Sequence, residues 1–370
     1  MRIGVDYTAA VRQGAGIGRY TRELVGALLA LASPHDYVLF AATGGLDPQP
    51  DIELAPRSHL CTVPLSYEWL ARLWHRARLP VPVELFTGRV DLFYSPDFAL
   101  PPVLPGTRTV LTVHDLSFLH YPDHFVPKLV RYLSRVVPRS VARAGRVLAD
   151  SEATRNDLTR LMDVAPEKVT VLYSGVDSRF HPEPEPGERE RLAARYGIGA
   201  RPYVLSVGTV QPRKNYARLI RAFSQLPGDV ELLIGGGRGW LYEEVLVEAA
   251  RHERVRMLGF VADADLPALY RGAALFAFPS LYEGFGLPVL EAMACGVPVV
   301  CSNVSSLPEV AGEAALLVDP YDEAALTEAM QLGLTDEELR AEMVAQGLEQ
   351  AAKFTWERAA RQLLDVLEGE

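Results

Sequence analysis

Short apolar runs alternate with more polar stretches along nearly the whole chain. In the first half, runs that read as buried strands fall at 2–6, 37–41, 60–64, 91–95, 109–113, 146–150 and 169–172. In the second half they fall at 203–208, 230–234, 255–258, 273–278, 297–301 and 315–318. Helical stretches separate most of them, and no tandem repeat is present. Such strand–helix alternation predicts an α/β architecture with open, doubly wound sheets. A chain of 370 residues suggests two such domains. Residues 43–57 read as a polar, proline-rich loop, and 181–188, with three prolines and three glutamates, as a linker or exposed loop. Segment 67–78 reads as a helix whose aromatics and arginines suit either an interface or the core.

The chain is organised around residues 279–291. An apolar run leads into a loop with Gly284 and Gly286, followed by a helical stretch with Pro288 in its first turn. A glycine-containing turn before a helix exposes backbone N–H groups and the positive end of the helix dipole, so the expected guest is an anion, most often phosphate. Glu283 and Glu291 flank the turn. A carboxylate beside a phosphate repels it, whereas it accepts hydrogen bonds from vicinal hydroxyls. A pyrophosphate between a ribose and a hexose fits both facts; a helix-capping turn with solvated glutamates is the alternative. Arg213 and Lys214, adjacent after the run 203–208, suit a pyrophosphate as a planar fork and a point charge. Loop 14–18 offers Gly16, Gly18 and Arg19. It also stands near a dinucleotide fingerprint position, but no acidic residue occupies the ribose position. His114 and Asp115 come at the carboxyl end of the run 109–113, where open α/β sheets bind ligands. A core histidine satisfied by backbone is the competing reading.

The stretch 279–291 resembles the Glu-x7-Glu signature of retaining glycosyltransferases of the GT-B fold, family four in the sequence classification. The resemblance implies that Glu283 contacts the donor hexose and Glu291 the donor ribose. It implies that Arg213 and Lys214 hold the donor diphosphate, with the amides around Gly284, Phe285, Gly286 and Leu287. Gly16 and Gly18 would lie near the donor phosphate, Phe260 and Val261 near the nucleotide base, and Arg19 and Asp115 toward the acceptor. His114 would contact the sugar rather than act as a base. Residues 173–177 resemble the family's crossover between domains, but Ser174 replaces the usual asparagine and carries no ligand role. The fold implied is GT-B: two Rossmann-like domains facing a central cleft. Residues 1–175 would form the acceptor domain and 176–353 the nucleotide-sugar domain. Residues 354–370 would be a helix returning to the first, anchored by Trp356. The reaction implied is hexosyl transfer from a nucleotide diphosphate sugar to a glycan or lipid-linked acceptor with retained configuration. Mannose from a GDP donor comes first, because the stretches around His114 and Lys214 look most like bacterial mannosyltransferases. A transferase using UDP-glucose or UDP-N-acetylglucosamine, an epimerase of the same fold, a dehydrogenase and a sugar-nucleotide sensor are the other readings. The resemblance brings no Asp-x-Asp metal site with it, so neither a metal nor another cofactor is expected.

Charge adds one feature. The net charge of −10 is uneven: residues 1–175 carry 19 Lys+Arg against 17 Asp+Glu, and residues 176–370 carry 18 against 30. Nucleic acid is therefore an unsuitable partner. Lys128, Arg131, Arg135, Arg139 and Arg143 recur at helical spacing, and Arg146 follows. Pro138 should kink or divide that helix. Like charges one turn apart repel, which points to an anionic acceptor or an anionic membrane surface. With 49% hydrophobic residues and a mean hydropathy of +0.06, the composition is that of an ordinary globular protein. The three cysteines, Cys61, Cys295 and Cys301, show no framework spacing. No spanning segment or signal peptide is visible, and the expected location is the cytoplasm, with peripheral contact at the inner membrane face.

Overall fold

The computed structural model describes residues 1–14, 16–45 and 56–369. Ala15 and most of the loop read at 43–57 lie outside the described residues. By internal contacts the chain divides into two units: Met1–Leu116, Lys128–Gly175 and Thr355–Glu370 form one, and Ser117–Pro127 with Val176–Phe354 form the other.

Among the described residues, unit 1 is built on seven parallel strands: β1 Arg2–Asp6, β2 Asp36–Ala42, β3 Ser58–Val63, β4 Leu92–Ser95, β5 Arg108–Val113, β6 Arg146–Ala149 and β7 Val169–Val171. Their order in the sheet is β3-β2-β1-β4-β5-β6-β7. Unit 2 has six: β8 Tyr203–Val207, β9 Glu231–Gly235, β10 Val255–Gly259, β11 Leu275–Phe278, β12 Val299–Ser302 and β13 Ala315–Val318. Their order is β10-β9-β8-β11-β12-β13. The central strands are buried along all or nearly all of their length, β4 and β11 throughout and β8 up to Val207, and so read as continuous apolar runs rather than alternating ones. In unit 2, Leu219, Ile220 and Phe223 from the helix Tyr216–Ser224 pack with Leu232 and Ile234 of β9 in one core cluster. Each such side chain contributes about 1.5–3 kcal/mol on burial.

The structure refines two local expectations. Segment 67–78 is an α-helix only over Tyr67–Ala71 and continues as a π-helical turn over Arg72–Arg76. This turn buries Trp74, whose indole N–H donates to the Val81 carbonyl at 2.8 Å. Pro138 does not divide its helix, which runs unbroken over Pro127–Arg143. Pro138 and Ser134 are both exposed, so the carbonyl that loses its partner one turn back faces water. The basic stripe on this helix is also shorter than its sequence. Arg143 donates to the carbonyls of Leu100 and Pro101, and Arg146 to that of Glu167. Lys128, Arg131, Arg135 and Arg139 are exposed.

Helix Trp356–Glu368 packs within unit 1 on helix Ile17–Ala30. Trp356 meets the ring of Tyr20 edge-on at 6.0 Å, and Gln362 donates to the Val171 carbonyl at 2.8 Å. Among the described residues no helix is long and apolar enough to cross a membrane.

Candidate active site

In unit 2 the chain order reverses between β8 and β11, so loops leaving these two strands diverge and leave a crevice at their carboxyl ends. The tight turn Pro212–Lys214 follows β8. It ends at Asn215, whose left-handed backbone (φ 61°) an asparagine tolerates. The Asn215 side-chain amide donates to the carbonyls of Pro279 at 3.0 Å and Pro320 at 2.8 Å. Leu281 N–H donates to the Arg213 carbonyl at 2.9 Å. The turn after β8 is thereby tied to the loop after β11, and three charged side chains meet. Arg213 Nη1 lies 2.8 Å from Glu283 Oε2, and Lys214 Nζ 2.6 Å from Glu283 Oε1. Arg213 also donates to the Tyr282 carbonyl, and Lys214 Nζ sits 4.6 Å from the centroid of the Phe278 ring. All three charged residues are buried. Burial alone would raise the Glu283 carboxyl, but the Arg213 and Lys214 charges outweigh it and hold the group at about 2. With two cations against one carboxylate, the cluster keeps a positive excess suited to an anion.

The loop is fixed by its backbone. Glu283 N–H donates to Ser305 Oγ at 2.9 Å, and Ser306 Oγ donates to the carbonyls of Glu283 at 3.0 Å and Phe285 at 2.6 Å. Gly286 stands at φ 120°, and a Cβ there would meet Leu307 at 2.8 Å. Helix Leu287–Ala294 starts at once, so its first amides have no carbonyl within the helix to bind. Gly284 and Phe285 are buried, and Leu287 is half-buried. Glu291, also buried, accepts a hydrogen bond from Tyr270 Oη at 2.8 Å. Past β10, Phe260 is 69% exposed while Val261 is buried. Gly236 serves the fold itself: a Cβ there would lie 2.0 Å from the Gly208 carbonyl.

In unit 1 the order reverses between β1 and β4. Gly16, at φ 58°, precedes helix Ile17–Ala30. Gly18 in its first turn is buried, and a Cβ there would fall 2.1 Å from the Gln13 carbonyl oxygen, so only glycine fits. Arg19 is half-buried on the same turn. His114 follows β5 and is buried. Its Nδ1 lies 2.7 Å from Asp150 Oδ2 and its Nε2 2.9 Å from the Pro96 carbonyl, while Tyr20 and Phe98 meet the ring edge-on. A carbonyl only accepts, so Nε2 must donate to it. With Asp150 ionised, Nδ1 donates as well and the ring is an imidazolium. Burial opposes that charge, but the Asp150 carboxylate, helped by Asp97, raises His114 to about 9. Asp115, the next residue, is half-buried.

Beside the β1/β4 reversal lies a cavity of about 250 Å³ lined by Asp6, Thr8, Arg12, Gln13, Tyr67, Glu68 and Asp97. Burial pushes Asp6 up to about 6 and raises Asp97, while the Arg12 guanidinium, bound through two nitrogens, holds Glu68 at about 2. Asp6, Asp97 and Asp150 were not singled out in the sequence. Each stands at or just past a strand's carboxyl end, the same signal that marked His114 and Asp115. Among the described residues no group of three or more His, Cys, Asp or Glu side chains could hold a metal ion.

Comparison with known proteins follows the two units. The model described as "Glycosyltransferase Family 4" matches residues 14–180, and "Glycosyl transferases group 1" matches residues 188–350. The O-antigen chain mannosyltransferase B of Escherichia coli is 35% identical over 95% of each chain. Among solved structures, sucrose-phosphate synthase from Thermosynechococcus elongatus superposes with a TM-score of 0.76 at 23% identity, covering 100% of this chain and 98% of its own. Anabaena HepE, in complex with UDP and glucose, gives 0.75 at 21% identity, covering 100% and 99%.

Proposed function

The chain belongs to the group 1, family 4 glycosyltransferases of the GT-B fold, and from that premise we propose that it moves mannose from GDP-mannose to a growing glycan with retention of configuration. The observation that carries this reading is the buried cluster of Arg213, Lys214 and Glu283 at the β8/β11 reversal. The barrier to transfer is separation of the anomeric carbon from a diphosphate. Arg213, Lys214 and the first amides of helix Leu287–Ala294 would stabilise the charge developing on that leaving group. The diphosphate would compete with Glu283 for both cations, releasing the carboxylate toward hexose hydroxyls. Glu291, oriented by Tyr270, would take the ribose hydroxyls, and Val261 with Phe260 the base. Mannose is supported by the relative named as a mannosyltransferase.

Retention without a protein nucleophile fits a same-face mechanism in which the leaving phosphate assists the acceptor hydroxyl. His114, with both nitrogens bound to Asp150 and Pro96, has no lone pair for general-base work, so its part would be electrostatic. The acceptor would bind unit 1, where Arg19 and Asp115 remain candidates and the cavity beside Asp6 and Asp97 suits hydroxyls. We also propose peripheral contact with an anionic membrane through Lys128, Arg131, Arg135 and Arg139, and no metal requirement. Incubation with radiolabelled GDP-mannose and mannosyl oligosaccharides tests the transfer, and NMR of the product reads the anomeric configuration. Turnover of donor without acceptor favours an epimerase. A thermal-shift panel in which UDP stabilises and GDP does not moves the donor to a UDP-sugar.

A further inference from the structure

Residues 117–127 interrupt unit 1 in sequence yet belong to unit 2. The reason lies in what they touch. The His120 ring stacks on Tyr282 with centroids 4.9 Å apart and planes at 28°, and Tyr121 meets the same ring edge-on at 6.4 Å. Tyr121 Oη donates to the Leu281 carbonyl at 3.3 Å and lies 3.3 Å from the hydroxyl of Tyr321. Farther along, Trp240 Nε1 donates to the His124 carbonyl at 2.7 Å, and Phe125 packs on the Trp240 ring at 5.6 Å. The segment is thus pinned at both ends to unit 2, and its first pins fall on the two residues that precede Glu283.

Those two residues have few other ways to move. Leu281 gives its N–H to Arg213 and its carbonyl to Tyr121. Tyr282 gives its carbonyl to Arg213 and its ring to His120. The direction in which the Glu283 carboxylate points follows from this backbone. A reacting group displaced by about 1 Å loses on the order of 100-fold in rate. We propose that His120 and Tyr121 are positioning residues for the transfer: they clamp the backbone at Leu281 and Tyr282 so that Glu283 is presented to the donor hexose. The inference rests on the reading of Glu283 given above. Neither residue touches the donor in this scheme; each acts through the loop 279–286.

The test uses the full chain with His120→Ala and Tyr121→Phe, singly and together, and His120→Phe, which keeps a ring able to stack. In the pair variant, amide hydrogen exchange at 281–286 should rise by about tenfold or more, because local opening becomes easier. The kcat should fall about 10–100-fold while the donor KM stays within about threefold, since the loss is one of geometry. His120→Phe should restore most of the kcat lost in His120→Ala. In a Glu283→Gln background the pair should remove less than about twofold more, because residues acting as one unit are not additive. Unchanged exchange at 281–286, or losses that multiply with Glu283→Gln, overturn the proposal. Wild-type turnover in Glu283→Gln alone counts against the reading of Glu283, and the exchange rates then decide the clamp by themselves.

Discussion

Replacing Glu283 by Gln keeps the shape of the side chain and removes the charge between Arg213 and Lys214. The carboxyl stands at about 2 against an ordinary 4.5, which corresponds to about 3 kcal/mol at 1.36 kcal/mol per pH unit. Loss of one partner from a buried pair falls in the same range, about 3–5 kcal/mol, because the cations remain buried without their anion. For a unit of this size that predicts a melting temperature lower by about 6–12 °C. The sign with pH follows. A depressed carboxyl contributes its full stability above pH 4.5 and loses it as the pH falls toward 2. The wild-type chain should weaken across that window and Glu283→Gln much less. Diphosphate binding should move the other way. Without a competing carboxylate, GDP should bind Glu283→Gln about tenfold tighter, the equivalent of about 1.4 kcal/mol, and should recover much of the lost melting temperature. Turnover should nonetheless fall about 100-fold or more, since the hexose contact that matters in the transition state is gone. Differential scanning fluorimetry with and without GDP, calorimetric titration and a radiolabel assay read the three quantities. A variant that melts like wild type and binds GDP equally well refutes the reasoning, because the cluster would then be neither strained by the loss nor the diphosphate site.

Lys214→Ala should weaken GDP by about 1.5–3 kcal/mol, the scale of a charge-assisted hydrogen bond, and leave guanosine binding unchanged; equal losses for both, measured by titration, mark Lys214 as structural. Transfer should survive EDTA, because Arg213 and Lys214 supply the positive charge at the diphosphate; complete loss restored by magnesium or manganese contradicts this. His114 is raised from 6.5 to about 9 against its burial by the Asp150 carboxylate, so its contribution to stability is complete below pH 6.5 and lost as the pH rises through 9. Urea denaturation from pH 6 to 10 should show that decline in wild type and not in His114→Gln. Anionic vesicles should carry the protein upward in flotation at low salt, each facing cation contributing about 1 kcal/mol; reversing Arg131, Arg135 and Arg139 to glutamate together should abolish this, and protein that stays at the bottom leaves the stripe to solvent or to a soluble acceptor.

The strands were legible because strands of parallel sheets are buried on both faces and read as unbroken apolar runs. The turn with Arg213 and Lys214 and the loop with Glu283 were legible one at a time, from glycine, proline and charge. Their meeting on one donor followed only from the family resemblance and not from the residues themselves, because 69 residues separate Lys214 from Glu283 and the adjacency of β8 and β11 brings them together; the direct ion pairs were not foreseen. The same holds for Asp6 and Asp97, which share a cavity because β1 and β4 are neighbours. The stripe on helix Pro127–Arg143 was overread for a related reason: Arg143 is taken by carbonyls of Leu100 and Pro101, more than 40 residues away. Pro138 leaves its helix undivided because it lies on the exposed side beside exposed Ser134, where water can take the carbonyl that the proline leaves without a partner.

Helix Trp356–Glu368 buries Trp356, Ala359, Ala360, Leu363, Val366 and Leu367 within unit 1. It also brings Glu368 to within 2.7 Å of His35, 333 positions earlier in the chain. On the ribosome these partners are made far apart in time. At about 5–20 residues per second, roughly 10–35 seconds pass between emergence of the strands of unit 1 and arrival of this helix. Throughout that interval the surface of helix Ile17–Ala30 that will receive it is uncovered and apolar. Uncovered apolar surface of this kind favours association between chains, so a nascent chain held between residues 176 and 354 should be more prone to aggregate than the finished one.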